Sequence, residues 1–173
     1  MSRRGKYEYS IWVMPNGRAA RNVAKTILDI SKSNGTVSFD PHVTLLGYIS
    51  GERQDIIKKT RRLSSKLCRM PIRFGGTAHS GRYTMPLFIK VRASPELFRA
   101  RRLAEKEFEA RSTKFTPHMS LMYANLAKGR RLKLLSGIDG NYFGDGFNAD
   151  TIRLYARRWD GKEWKKVASF KIR

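Results

Sequence analysis

Hydrophobic positions along the chain change their period several times, and each change marks a new element. From Glu8 to Pro15, Tyr9, Ile11 and Val13 alternate with their neighbours, the period of two expected of a strand, and the run ends at the turn signal Pro15-Asn16-Gly17. Ala20, Val23, Ala24 and Ile27 then recur at helical spacing as far as Asn34-Gly35, where a glycine can close a helix. His42 to Ile49 reads as a buried strand. Residues 52–69 return to helical spacing, with Ile56, Thr60, Leu63 and Leu67 on one face and Lys58, Lys59, Arg62, Lys66 and Arg69 on the other. Ile72–Phe74 and Leu87–Arg92 read as strands separated by a glycine-rich loop. Pro95 opens a third helix striped by Leu97, Ala100, Ala104 and Phe108, and His118–Tyr123 is again a strand. Thr151–Tyr155 and Lys166–Ile172 form an antiparallel pair around Asp160-Gly161. Strands alternating with helices, followed by a hairpin, predict α/β or α+β with mixed sheets.

Length and composition narrow this to one domain over residues 1–173, since no Pro/Gly/Ser-rich stretch is long enough for a linker. Hydrophobic residues make up 40%, enough for a packed core, and no apolar run approaches the roughly 18 residues of a membrane-spanning helix. The first ten residues carry two arginines with no apolar segment behind them and do not read as a secretory signal; a cytoplasmic location is expected, with the nucleus as the alternative. A single cysteine, Cys68, excludes an intramolecular disulfide and a cysteine zinc site. Charge changes the picture most. Lys and Arg total 36 against 14 Asp and Glu, a net charge of +22, which attracts polyanions and favours a monomer. Nucleic acid is the first partner to consider, reached through a basic surface.

One local pattern occurs twice. Pro41-His42-Val43-Thr44-Leu45-Leu46 is matched 76 residues later by Pro117-His118-Met119-Ser120-Leu121-Met122, each copy following a predicted helix and a loop. Side chains alternate along a strand, so His42 and Thr44 share one face and His118 and Ser120 share another, while Val43, Leu45, Met119 and Leu121 face the packed side. Two such strands side by side would bring two imidazoles and two hydroxyls together. The imidazoles can serve as general base and general acid, and the hydroxyls can donate to the non-bridging oxygens of a phosphate. No metal-ligand cluster accompanies them, so metal-free phosphoester chemistry fits best, with no cofactor. The third histidine, His79, lies in a loop from Thr77 to Arg82 with no partner motif and is expected at the surface.

The paired His-x-Thr/Ser motifs resemble those of the 2H phosphoesterase superfamily, and the chain looks most similar to plant and fungal cyclic nucleotide phosphodiesterases. Tyr9-Ser10-Ile11-Trp12, Phe39 before Pro41-His42, Leu87-Phe88-Ile89, Tyr123-Ala124 after the second motif, and Trp164 before Val167-Ala168 carry the likeness over most of the chain. The resemblance implies an α+β, bilobal fold: two antiparallel-rich sheets with outer helices around a central cleft, related by a pseudo-twofold. It implies metal-free hydrolysis of ADP-ribose 1″,2″-cyclic phosphate and nucleoside 2′,3′-cyclic phosphates to the 2′-type phosphomonoester, with His42 as acid and His118 as base. It also implies that Trp12 and Tyr123 line the cleft and that Tyr83 sits on a mobile loop over it. Plant relatives carry several cysteines that this chain lacks, and the basicity exceeds what a small nucleotide requires. An RNA-end-processing enzyme or a 2′,5′-oligonucleotide phosphodiesterase using the same four residues is therefore an alternative. A reading of another class is a basic RNA-binding module with a vestigial site.

Overall fold

The computed structural model describes residues 7–111, 113–161 and 163–173; the N-terminal residues 1–6, part of the segment read for a secretory signal, lie outside them. Its strands are β1 (Tyr7–Val13), β2 (Val43–Ile49), β3 (Met70–His79), β4 (Leu87–Arg92), β5 (His118–Ser120), β6 (Gly146–Ala149), β7 (Thr151–Arg158) and β8 (Lys165–Lys171). The helices are α1 (Gly17–Asn34), α2 (Arg53–Lys66), α3 (Pro95–Glu107) and α4 (Lys128–Ser136), with a 3-10 turn at Gly140–Phe143. The strands form one sheet in the order β6-β3-β4-β5-β2-β1-β7-β8, and every pairing is antiparallel. The fold is α+β. Two expectations need correction: the sheet is antiparallel throughout rather than mixed, and the two expected sheets are continuous, joined by the pairing of Val43 with Met119.

The order reads the same from either end in structural terms. A β1-α1-β2 unit flanked by β7 and β8 mirrors a β4-α3-β5 unit flanked by β3 and β6, so β2 and β5, the two motif strands, meet at the centre. The alternation within each motif fixes which face the histidines take. Val43, Leu45, Met119 and Leu121 are fully buried in the main core, each contributing roughly 1.5–3 kcal/mol. A one-residue slip would turn these apolar side chains to the open face and the histidines into the core.

Local departures have local causes. Helix α2 stops at Lys66 because Leu67 turns extended (ψ 140) to bury its side chain, and the chain from Leu67 to Arg69 then pairs with Arg173. Arg69 is therefore not on the helix. The first part of the predicted glycine-rich loop is strand: β3 continues through Gly75-Gly76 to His79 by a register shift opposite β4, with Gly76 at φ +87. That extension puts His79 at the end of β3, half-buried, with its Nδ1 buried and unpaired among the described residues, rather than at the surface. The second motif strand ends at Ser120, not Tyr123. Helix α3 starts as expected, with the Ser94 side chain capping Leu97 N–H and Pro95 in the first turn.

Candidate active site

The open face of the sheet carries the functional side chains. Thr44 pairs in register with Trp12 on β1, and Phe88 and Lys90 on β4 pair with Ser120 and His118; residues directly opposite share a face. A cleft of about 390 Å³ lies over this face. Every site residue expected from the sequence borders it: Trp12, His42, Thr44, Tyr83, His118, Ser120 and Tyr123.

The two histidines are held alike. His42 Nδ1 lies 2.7 Å from the Asp40 carbonyl and His118 Nδ1 lies 2.8 Å from the Thr116 carbonyl, each two residues upstream. A carbonyl can only accept, so both Nδ1 atoms carry the proton, and each Nε2 is left as the reactive nitrogen. Their surroundings differ. His42 is 5% exposed and lies flat on Trp12, with ring centroids 3.5 Å apart and planes 4° apart; Trp12 stacks in turn on Tyr155 at 3.7 Å. Burial pushes the His42 imidazole down to about 4, assisted by the neighbouring His118 and opposed by the bond to Asp40. His118 is half-buried, touched by the edge of Phe88. Burial and the Arg82 charge lower it less strongly, against the bond to Thr116.

The hydroxyls also differ. Thr44 has no internal hydrogen-bond partner among the described residues, whereas Ser120 Oγ donates to the Thr84 carbonyl at 2.7 Å. Ser120 thus anchors the segment between β3 and β4 as well as bordering the cleft. The same segment is tied by Ser80 Oγ to Met85 O, by Arg82 N–H to Ser80 Oγ and by Ala124 N–H to Tyr83 O. Tyr83 is 43% exposed, and the loop beneath it is hydrogen-bonded along its length. Tyr123 is stacked on Phe39 at 3.9 Å, and burial raises its phenol. Trp12 borders the cleft and also packs in a small buried cluster with Met14 and Tyr155.

Several contributors escaped the sequence reading. Glu8 is buried and ion-paired with Arg157 at 2.6 Å, and Arg157 also lies over the Trp164 ring at 4.9 Å; all three border the cleft. The Asp40 carboxylate accepts from the Tyr155 hydroxyl, bracing the residue whose carbonyl holds His42. Burial and that bond push the Tyr155 phenol up to about 12. The signal existed: Glu8, Ser10 and Trp12 alternate on β1 opposite Arg157, Tyr155 and Arg153 on β7, the same period of two that exposed the histidines. No group of three or more His, Cys, Asp or Glu suited to a metal occurs among the described residues.

A pseudo-twofold α+β chain that brings a His-x-Thr/Ser motif from each half into one cleft defines a two-histidine phosphoesterase. The family model described as "2'-5' RNA ligase superfamily" matches residues 36–161, and the chain belongs to that superfamily. Among solved structures it is similar to Escherichia coli LigT complexed with 3'-AMP, with a TM-score of 0.64 and 10% identity over 97% of this chain and 99% of LigT. It is also similar to TT0787 of Thermus thermophilus, with a TM-score of 0.68 and 15% identity over 96% of this chain and 98% of that one. At such identities the likeness is one of fold. No curated protein matches the sequence.

Proposed function

We propose that the protein opens a ribose cyclic phosphate, of a nucleoside 2′,3′-cyclic phosphate or ADP-ribose 1″,2″-cyclic phosphate, to the 2′-type phosphomonoester by in-line attack of water without a metal. The observation that carries this reading is the matched pair of imidazoles, each anchored through Nδ1 to a carbonyl with its Nε2 available at one cleft. His42, kept neutral by burial, takes a proton from water as the new P–O bond forms. His118, nearer solvent and protonated when phosphate charge enters, gives its Nε2 proton to the leaving ribose oxygen as the old P–O bond breaks. These roles reverse the assignment implied by the resemblance. Thr44 donates to a non-bridging oxygen as charge develops there. The cleft falls within the range of about 300–1,000 Å³ common for small-ligand sites, and superfamily membership supports a nucleotide occupant.

A longer substrate, an RNA end or a 2′,5′-linked oligonucleotide, is favoured by one observation: exposed cations with no ion-pair partner among the described residues lie beyond His118, outside the lining of the cleft. A binding module with a vestigial site would have no use for two histidines fixed in the same tautomer. The test is turnover in EDTA of a 2′,3′-cyclic mononucleotide, ADP-ribose cyclic phosphate, cyclic-phosphate-ended RNA and a 2′,5′-dinucleotide, side by side. Release of a 2′-phosphomonoester from a cyclic substrate is expected. Inertness towards all four, or activity dependent on added metal, would contradict the reading.

A further inference from the structure

We propose that Lys90, Arg92 and Arg73 form a phosphate track that carries the upstream nucleotides of a single-stranded nucleic acid whose terminal phosphate lies at His118. The proposal rests on the phosphodiesterase reading for the identity of that end. Lys90 pairs in register with His118, and Arg92, two residues on, lies on the same face. Arg73 on β3 is directly opposite Arg92. All three are exposed, and no carboxylate among the described residues lies within ion-pair distance of any of them. Two arginines directly opposed across a pair of strands repel each other, and no carboxylate among the described residues relieves the repulsion. On the other wing of the same sheet, Arg157 and Arg153 each sit beside a carboxylate, of Glu8 and Asp40.

The shape of the patch selects its occupant. Strands lie about 4.8 Å apart, so β3 is roughly 10 Å from β5, and the cations step outward from the catalytic strand in one direction. Gly75 faces them: a Cβ there would stand 3.4 Å from Lys90 Cβ and 3.6 Å from Arg92 Cγ, so its absence keeps the surface low beside both side chains. None of the exposed large hydrophobic residues lies on β3 or β4, so a protein partner would find no anchor there. A chain of phosphates needs none.

On the basic face of α2, by contrast, three cations lie beside carboxylates. Arg62 and Lys66 are engaged by Glu107 at 2.8 and 2.7 Å, and Lys59 lies 3.8 Å from Glu109.

The experiment measures binding and turnover of a cyclic-phosphate-ended hexaribonucleotide and of a cyclic mononucleotide across a salt series. It compares the wild type, the triple variant Arg73→Gln/Lys90→Gln/Arg92→Gln and the charge-conserving Arg73→Lys/Arg92→Lys. Each lost phosphate contact should flatten the slope of log K against log[salt] by about 0.7. The triple variant should lower the oligonucleotide-to-mononucleotide ratio of kcat/KM about tenfold, and the lysine variant should largely restore it. An unchanged slope and ratio in a folded triple variant would overturn the track. If the wild type binds the oligonucleotide through these residues but hydrolyses neither substrate, the track stands and the phosphodiesterase reading falls.

Discussion

The two half-sites share a backbone and differ in surroundings. In the first, His42 is buried against Trp12, its carbonyl anchor belongs to a residue braced by Tyr155, and Thr44 has a hydroxyl without an internal partner among the described residues. In the second, His118 is half-buried near Arg82, and Ser120 has its proton on Thr84. The duplicated motif provides two copies of one tautomer-fixing device. The difference in burial separates their proton affinities, and separated affinities allow one imidazole to accept while the other donates.

Removing either imidazole should have the largest effect. His42→Ala and His118→Ala should each cost on the order of 10²–10⁴-fold in kcat on a cyclic mononucleotide, measured in EDTA. A variant with wild-type turnover would remove its half from the chemistry. The hydroxyls should separate next. Thr44→Ala should cost roughly 10–10³-fold, the value of one lost donor to developing charge, and Ser120→Ala less, because its proton is engaged by the Thr84 carbonyl. Equal losses would mean that Ser120 releases Thr84 when phosphate binds.

Stability offers a third test. An unfolded histidine titrates near 6.5 and folded His42 near 4, so between those values the unfolded chain holds the extra proton. Stability should therefore fall as pH drops from about 6.5 towards 4, by up to about 1.4 kcal/mol per pH unit from this group. Denaturant unfolding of His42→Gln should show a shallower loss over that window than wild type. The smallest expected effect belongs to α2: changing Lys58, Lys59, Arg62 and Lys66 to Gln should alter oligonucleotide affinity less than about twofold, the size of a rearranged solvated face.

Much of this was legible in the chain, for one physical reason: both the motif strands and the longer helices are half-buried, and half-burial writes a period into the sequence. What escaped lacked that imprint. Helix α4 buries no residue, and β6 is four residues long with a glycine at φ +133, so neither has a pattern to find. The extension of β3 was hidden because Gly75-Gly76 signals a turn equally well as a bulge. The ion pairing of Lys59, Arg62 and Lys66 on α2 depends on Glu107 and Glu109, at the end of α3 and just beyond it, and no local spacing shows that the two helices meet. The cross-strand pairing of Glu8 with Arg157, by contrast, obeys the same alternation as the histidines and needed only the knowledge that β1 lies beside β7.

The separation of roles between His42 and His118 is tested most directly by the pH dependence of kcat/KM for a 2′,3′-cyclic mononucleotide, in the wild type and in the residual activities of His42→Ala and His118→Ala. Because both imidazoles are lowered, the wild-type profile should be a bell with its maximum on the acidic side of neutrality, between about 4 and 6.5. His42→Ala should lose the acidic limb and keep the alkaline one, and His118→Ala should do the opposite. Loss of the alkaline limb in His42→Ala would assign the acid to His42 and contradict the account.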